Sequence, residues 1–276
     1  MFSINFDIDM GPFGPYITSM KHLEDIKSSR VYGRRQGPAL SPARQARLDN
    51  WLPQIDIKLP STDFGTYDAP KLPQKSPLRT PQSHFDNSDG PNDDTPLTDY
   101  WLEIGFGKGE HLAAQAETHA KIGLFGCEPF LNGVSGLVDL VAEKALQNVR
   151  VFTDDARLLM DSFPDQSIGR AFILFPDPWP KARHHKRRIV SAGNIAALSR
   201  ILKDGAELRI ATDHMEYCRW IMAHMLRAPD FVWLCESPEN WQNRPDDWPP
   251  SRYEIKSLEQ GRKSSYLRFI RRARAE

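Results

Sequence analysis

The sequence lacks the features that would place it in a membrane or cross-link it. No run of apolar residues approaches the roughly eighteen needed for a membrane-spanning helix, and the N-terminus has no basic-then-apolar secretion signal. The three cysteines, Cys127, Cys218 and Cys235, are odd in number and widely spaced, which favours reduced thiols over disulfides. We therefore expect a soluble, cytoplasmic protein that makes no membrane contact.

The chain also has no net charge and no metal-type spacing of ligands. Its 36 basic and 36 acidic residues give a formal charge of +0, so any binding of nucleic acid must come from local clusters. His184, His185 and His214 have no cysteine or carboxylate partner at metal-ligand spacing, and we expect no metal. At 276 residues, the chain is long enough for one large domain or for a domain with an appendage.

Hydrophobic periodicity divides the chain into four parts. Residues 1–19 show no helical or strand period and are expected to form a poorly ordered tail. Residues 20–58 are expected to form a basic arm and a helix that begins with the Ser41-Pro42 pair. Residues 59–96 are dominated by proline, serine, threonine and acids, as in a linker or disordered insert. Strands and helices alternate over 97–276, which predicts an α/β domain with a parallel sheet.

One stretch of this domain has the pattern of a ligand-binding turn. A short apolar strand is followed by Gly105, Gly107 and Gly109 and then by a helical segment, an arrangement that presents backbone N–H groups to a ligand. The spacing differs from the G-x-G-x-x-G of a dinucleotide site, and Glu103 would repel a pyrophosphate. The stretch favours S-adenosylmethionine, which carries a sulfonium and an ammonium, over a nicotinamide cofactor. An ordinary glycine-rich turn is the alternative.

Acidic residues follow the other predicted strands. Glu128 follows the second strand about 20 residues beyond the glycine turn, where ribose hydroxyls are normally bound. Asp155 follows the third strand and is favoured for contact with an adenine amino group, with Asp154 as its competitor because the choice depends on register. Asp177 follows the fourth strand between two prolines, which restrict its backbone, and Asp213 follows the fifth. Since parallel strands end at one edge of a sheet, these carboxylates are expected to surround one ligand site.

Two basic clusters suit RNA phosphates. The first, residues 30–37, combines arginines with Tyr32 and two glycines, and a solvated arm is an equal alternative. The second follows Asp177 directly and is the strongest electrostatic signal in the chain, although a nuclear-localisation signal or a solvated loop has a similar composition. Its members are Lys181, Arg183, His184, His185, Lys186, Arg187 and Arg188.

Together these segments resemble the bacterial tRNA (guanine-N7)-methyltransferase family. The resemblance covers nearly all of 97–276 and the arm around 30–55, and its most specific part is 175–188. The glycine turn alone would fit any class I methyltransferase. The matching segments are RVYGRRQG (30–37), LEIGFGKGE (102–110), GCEPF (126–130), DDA (154–156), FPDPWPKARHHKRR (175–188), ATDH (211–214) and SRYEIKSLEQGRK (251–263).

The resemblance implies a fold, an activity and a set of site residues. The fold would be the Rossmann-like α/β fold of class I methyltransferases, with a mostly parallel sheet, one antiparallel strand and helices on both faces. The activity would be methyl transfer from S-adenosylmethionine to N7 of a guanosine in tRNA, expected in the variable loop. The family usually has threonine at the position of Ser251. By matching position, the residues that would contact the cofactor are Glu103, Gly105, Gly107, Gly109, Glu128, Asp155 and Asp177, and Asp177 would also lie at the catalytic centre. Those that would contact the guanosine are Lys181, Asp213, Ser251, Arg252, Tyr253 and Glu254. Those that would contact the tRNA backbone are Arg183, His184, His185, Lys186, Arg187 and Arg188.

The chemistry of the target atom agrees with these residues. Guanine N7 has a lone pair and no proton to lose, so its methylation needs alignment and a counter-charge rather than a strong base. Asp177 and Asp213 suit both needs. Proline-rich loops also occur in enzymes that methylate exocyclic amino groups of other nucleic acids, and a non-catalytic RNA-binding module is a further alternative. The sequence does not decide between a monomer and a homodimer.

Overall fold

A computed structural model describes residues 35–59, 80–85 and 96–275. The predicted tail, the start of the basic arm and most of the predicted linker lie outside these ranges. Within them, no helix is long and apolar enough to span a bilayer. The strands are β1 (Asp99–Ile104), β2 (Ile122–Cys127), β3 (Val149–Phe152), β4 (Ile168–Leu174), β5 (Leu202–Thr212), β6 (Phe231–Trp233) and β7 (Ser265–Arg271). The helices are α1 (Pro42–Ile55), α2 (Glu110–Thr118), α3 (Leu131–Lys144), α4 (Ala156–Ser162), α5 (Ala192–Ile201), α6 (Met215–Met225), α7 (Glu239–Gln242) and α8 (Arg252–Glu259).

The strands form a seven-stranded sheet in the order β3-β2-β1-β4-β5-β7-β6. Strand β7 runs antiparallel to β5 and β6, while β3, β2, β1, β4 and β5 are parallel to one another. This confirms the expected mostly parallel sheet with one antiparallel strand. The register pairs Ile104 at the end of β1 with Cys127 and Ile173, so the parallel strands end together. We call this side of the sheet the carboxyl edge.

Successive side chains along a strand point to opposite faces of the sheet, and the apolar ones form two cores, one on each face. In β1, Leu102 and Ile104 are buried in the core under α4, α5 and α6, and Trp101 is buried in the core under α1, α2 and α3. A parallel sheet is normally covered by helices on both faces in this way. The sheet is therefore a rigid layer, and the loops at its edge are the parts on which function can be built.

The described part of the N-terminal arm packs against the sheet and α3. Ser41 is the N-cap of α1 and Pro42 its first residue, as the sequence predicts. After α1, the N–H of Ile57 donates to the carbonyl of Val151 at 2.7 Å, which extends the sheet beyond β3. Upstream, the N–H of Gly37 donates to Asn132 Oδ1 at 2.7 Å. The arm thus reaches the first turn of α3, close to the carboxyl edge.

One short part of the predicted linker packs against the α/β domain. Residues Pro81–His84 form a 3₁₀ turn in which Pro81 and His84 are buried. The carbonyl of His84 accepts a hydrogen bond from Arg150 Nε at 2.7 Å, and the His84 ring packs edge-on against Phe125 with centroids 5.7 Å apart. A single buried turn carries too few apolar residues to produce a periodic signal, so composition alone misses it.

The packing of α3 against the glycine turn predicts a stability difference between two glycine variants. A Cβ on Gly133 would lie 2.3 Å from the carbonyl oxygen of Gly107, so Gly133→Ala should push the helix and the turn apart and cost roughly 2 kcal/mol. The control is Gly193→Ala in α5, where a Cβ would meet nothing within 4 Å and should add about 0.5–1 kcal/mol. Thermal unfolding measures both effects, and equal melting temperatures would contradict the close packing.

Candidate functional site

The glycine turn after β1 forms an open cradle at the carboxyl edge. Gly105 and Gly107 have φ angles of 76° and 58°, which L side chains rarely adopt, and a Cβ on either would meet nothing within 4 Å. Glycine is therefore needed here for the backbone conformation, and the space above the turn is open. Gly109 differs, because a Cβ there would lie 2.6 Å from Leu137 of α3. The turn is closed on the α3 side and open on the other.

Glu128, directly after β2, is hydrogen-bonded to this cradle. Its Oε2 accepts a hydrogen bond from the N–H of Gly107, and its Oε1 accepts one from the N–H of Phe130, both at 3.0 Å. Burial raises the pKa of the Glu128 carboxyl despite these two bonds, and the nearby charges of Asp177 and Glu103 add to the rise. Each carboxylate oxygen has a second lone pair, so a ligand hydroxyl can still donate to it.

Glu103 is enclosed by protein and has a partner that the sequence analysis missed. Its side chain is 2% exposed, and its Oε2 lies 2.8 Å from Nδ1 of His111 on α2. The His111 ring packs edge-on against Phe172, and its Nε2 lies 3.3 Å from the amide nitrogen of Gln115. That amide also donates to the carbonyl of Asp247 at 3.2 Å. The available signal was a histidine eight residues after Glu103, on the side of α2 that also carries buried apolar residues.

The two acids after β3 have different surroundings. Asp155 is the N-cap of α4: its Oδ1 accepts hydrogen bonds from the backbone N–H and from Nε of Arg157, both at 2.9 Å. Asp154 is more exposed, and its Oδ1 accepts a hydrogen bond from Arg35 Nη2 at 2.7 Å. Both therefore lie at the carboxyl edge, with Asp155 the more rigidly held. In the described ranges, no group of three or more histidine, cysteine, aspartate or glutamate side chains is arranged to hold a metal ion.

The loop that carries Asp177 has an unusual backbone. Phe175 and Trp179, on either side of the Pro176-Asp177-Pro178 segment, have φ angles of 50° and 42°. Such angles are costly for large side chains and are concentrated at functional sites. Asp177 is exposed in this loop, yet partial desolvation raises the pKa of its carboxyl. The loop thus presents a carboxylate on a constrained backbone at the end of β4.

Asp213, after β5, is surrounded by side chains from the C-terminal segment. Its carboxylate accepts hydrogen bonds from Ser257 Oγ and from the Tyr253 hydroxyl, and it lies 3.1 Å from Arg262 Nη1. The Tyr253 ring also packs against Phe175, with centroids 5.4 Å apart. The structure therefore brings together Asp213 and Tyr253, which the family resemblance assigns to one site. Ser257 and Arg262 were missed, although Ser257 lies four residues after Tyr253, on the same helix face.

Glu254, predicted to contact substrate, is instead buried, and this corrects the expectation. Its side chain is 1% exposed, accepts a hydrogen bond from the Tyr266 hydroxyl and lies 3.3 Å from Arg244 Nε. Ser251 is the N-cap of α8, with its hydroxyl accepting from the N–H of Glu254 at 3.1 Å. The S-x-x-E pattern is therefore a helix-capping signal, and Arg252 in the same turn is exposed.

The second basic cluster includes a 3₁₀ segment, Ala182–Arg187, beside the Asp177 loop. Aromatic rings contact its less exposed members: the Arg187 guanidinium lies 4.9 Å from the Trp179 ring centroid, and the His185 ring lies 5.2 Å from that of Trp220. The exposed members are Lys181, Arg183 and Lys186, and the half-buried members are His184, His185 and Arg187.

Arg188 departs from the prediction that the whole cluster contacts RNA. Its side chain is 0% exposed, its Nη2 lies 2.6 Å from a carboxylate oxygen of Glu216, and its Nε donates to the carbonyl of Pro178 at 2.8 Å. A guanidinium enclosed in this way cannot reach a phosphate backbone. The local pattern does not distinguish Arg188 from its neighbours, because Glu216 is 28 residues away along the chain.

Comparisons with known proteins show which family this chain is similar to. A family described as "Putative methyltransferase" matches residues 98–267. A tRNA (guanine-N(7)-)-methyltransferase from Rhodospirillum rubrum is 40% identical over 249 residues, which cover 90% of this chain and 90% of that protein. A protein of the same name from Zymomonas mobilis is 40% identical and covers 88% of this chain and 94% of its own length. Another, from a Ruegeria species, is 41% identical and covers 91% of each chain.

The buried contact between Glu103 and His111 predicts coupled effects on stability. His111→Leu would leave the buried carboxylate without its imidazole partner, and we expect a loss of about 3 kcal/mol in the free energy of unfolding. When Glu103→Gln is combined with His111→Leu, the loss in the free energy of unfolding should be smaller than the sum of the losses in the two single variants, because the unpaired charge is then absent. Urea denaturation measures all three, and additive losses would contradict the pairing.

Proposed function

The chain belongs to the tRNA (guanine-N7)-methyltransferase family, and we propose that the carboxyl edge of its sheet carries out this family's reaction. The enzyme transfers a methyl group from S-adenosylmethionine to N7 of a guanosine in tRNA. We propose that this guanosine lies in the variable loop and that the reaction takes place in the cytoplasm. One observation carries the site assignment: the loops that follow neighbouring parallel strands meet at one edge of the sheet. These loops hold the open glycine cradle with Glu128, the constrained Asp177, and Asp213 with its partner Tyr253.

The cradle suits the cofactor. The open space above Gly105 and Gly107 permits a ligand to approach the backbone closely. Glu128 would accept hydrogen bonds from the ribose hydroxyls, since its two oxygens are already oriented by backbone N–H groups. Asp155 would accept from the adenine amino group, with the more exposed Asp154 as its competitor. Glu103, oriented by His111, would provide negative charge near the ammonium end.

The chemistry of N7 determines what the protein has to supply. S-adenosylmethionine provides a methyl group activated by a positively charged sulfur. Guanine N7 attacks with its own lone pair and releases no proton, so no histidine or lysine needs to act as a base. The purine becomes cationic as the bond forms, and Asp177 and Asp213 would stabilise that charge. Their fixed positions would also align the base for in-line displacement.

The substrate would approach over the Asp177 loop. Tyr253, which contacts both Phe175 and Asp213, offers an aromatic face beside the two proposed catalytic carboxylates. Lys181 follows the Asp177 loop and Arg252 precedes Tyr253 in the chain; both are exposed and would bind the guanosine and its phosphates. Arg183, Lys186 and the half-buried members of the cluster would contact the tRNA backbone, where basic side chains provide affinity without sequence specificity.

The direct test is methyl transfer from labelled S-adenosylmethionine to unmodified tRNA, with the product nucleoside identified by mass spectrometry. We expect 7-methylguanosine at one tRNA position. Label on an exocyclic nitrogen would instead indicate an amino-group methyltransferase. If there is no transfer although the cofactor binds in calorimetry, the chain is an RNA-binding module.

Replacing Asp177 should abolish turnover without unfolding the protein. Asp177→Asn keeps the size of an exposed loop side chain but removes its charge, and we expect kcat to fall by at least about 100-fold with an unchanged melting temperature. The matched control is Asp165→Asn, a charge removal at the opposite edge of the sheet, where Asp165 pairs with Arg200. Equal kcat values for the two variants would refute the proposed role.

Removing exposed cations from the cluster should weaken tRNA binding in a salt-dependent way. For Arg183→Ala combined with Lys186→Ala, we expect the slope of log affinity against log salt to flatten by about 1 for each phosphate that is no longer neutralised. The control removes two charges far from the site, with Lys121→Ala and Lys144→Ala. An unchanged slope in the first variant would mean that these side chains do not contact phosphates.

A further inference from the structure

Arg188 lies at the end of the basic cluster, but it connects two parts of the protein interior. Its Nε donates to the carbonyl of Pro178 at 2.8 Å, and its Nη2 donates to the carbonyl of Trp179 at 3.4 Å. On its other side, Nη1 and Nη2 donate to the two carboxylate oxygens of Glu216 at 3.1 and 2.6 Å. The guanidinium therefore joins the Asp177 loop to the first turn of α6.

Helix α6 also holds this guanidinium with two aromatic rings. The Arg188 Cζ lies 4.9 Å from the ring centroid of Tyr217 and 4.7 Å from that of Trp220. Trp220 Nε1 donates to the carbonyl of Val190 at 2.7 Å, which fixes the backbone just after Arg188. The hydrogen bond from Arg188 holds the pKa of Glu216 below its ordinary value, so the pair stays ionised at neutral pH. Arg188 is thus fixed on the α6 side.

The loop has few hydrogen-bond donors of its own. The three prolines of segment 176–180 have no backbone N–H, which leaves the loop few donors for turn hydrogen bonds to its own carbonyls. Phe175 and Trp179 hold costly backbone conformations at its two ends. A loop of this kind keeps one shape only where the surrounding structure constrains it. Arg188 provides two of the required donors at adjacent carbonyls.

We propose that Arg188 is a positioning residue that fixes the Asp177 loop relative to Asp213, with Glu216 as its anchor. Asp213 directly precedes His214, the N-cap of α6. A contact between the loop and the first turn of α6 therefore also fixes the position of the loop relative to Asp213. The inference rests on the proposed function, since the relative placement of the two carboxylates matters for methyl transfer. It replaces the RNA contact that the sequence pattern predicts at this position.

Arg188→Lys is the first test, because lysine keeps the charge but lacks the planar fork that bonds carbonyls and a carboxylate together. We expect the single-turnover rate constant, at saturating S-adenosylmethionine and tRNA, to fall by about 10- to 100-fold, since small displacements of a reacting group have effects of that size. The affinity for tRNA and its salt dependence should stay at wild-type values. A merely structural defect would lower the melting temperature and the amplitude of the turnover, but not the rate constant of the folded fraction.

Glu216→Gln disrupts the same link from its more exposed end and carries the test if Arg188→Lys does not fold. We expect a smaller fall in the rate constant, and a double variant no slower than Arg188→Lys alone, because the two side chains act as a unit.

Arg200→Lys is the matched control. Arg200 also bonds backbone carbonyls and a carboxylate, those of Met160, Phe163 and Asp165, but at the opposite edge of the sheet. It should lose stability and keep the wild-type rate constant.

The outcomes separate this inference from the proposed function. Unchanged rate constants in both Arg188→Lys and Glu216→Gln would overturn the positioning role. Weaker tRNA binding with a flattened salt slope in Arg188→Lys would assign Arg188 to phosphate contact instead. A wild-type enzyme that produced no 7-methylguanosine would refute the proposed function itself.

Discussion

The parallel alignment of β3, β2, β1, β4 and β5 is the constraint on which the whole site depends. Because these strands end at one edge, the residues that follow them meet in space although they are far apart in the chain. The glycine cradle, Glu128 and Asp177 are brought together in this way, and Asp213 joins them from β5. Antiparallel β7 begins at the same edge, where Ser265 pairs with Thr212, and α8 precedes it with Tyr253 and Ser257 hydrogen-bonded to Asp213. No single loop builds the site.

Several groups at this edge obtain their orientation from hydrogen bonds to neighbouring residues of the protein. Glu103 is oriented by His111, Glu128 by two backbone N–H groups, and the proline-rich Asp177 loop by Arg188. His111 and Arg188 are buried, where a hydrogen bond is less exposed to competition from water. Preorganisation of this kind suits a reaction that needs alignment and counter-charge, since no reorganisation is then required when charge develops on the base.

The sequence predicts the order of strands and turns better than the direction in which each side chain points. The alternation of strands and helices and the glycine turn could be predicted from local pattern. The antiparallel strand and the grouping of Asp213 with Tyr253 were implied only by the resemblance to the methyltransferase family. The burial of Arg188 and Glu254 could not be predicted, because Glu216, Arg244 and Tyr266 are distant in the chain. The buried turn at His84 was missed for a related reason: it gains its stability from Arg150 and Phe125, not from its own composition.

The pH dependence of the single-turnover rate constant for N7 methylation tests the central claim most directly. If the carboxylates orient and stabilise without accepting a proton, the rate constant should be flat from about pH 7 to pH 9. It should fall only on the acid side, as Asp177 becomes protonated, at a pH above the 3.8 of an ordinary aspartate because partial desolvation raises the pKa of its carboxyl. A rate constant that rises tenfold per pH unit through the neutral range would show that a base removes a proton, and would contradict the account.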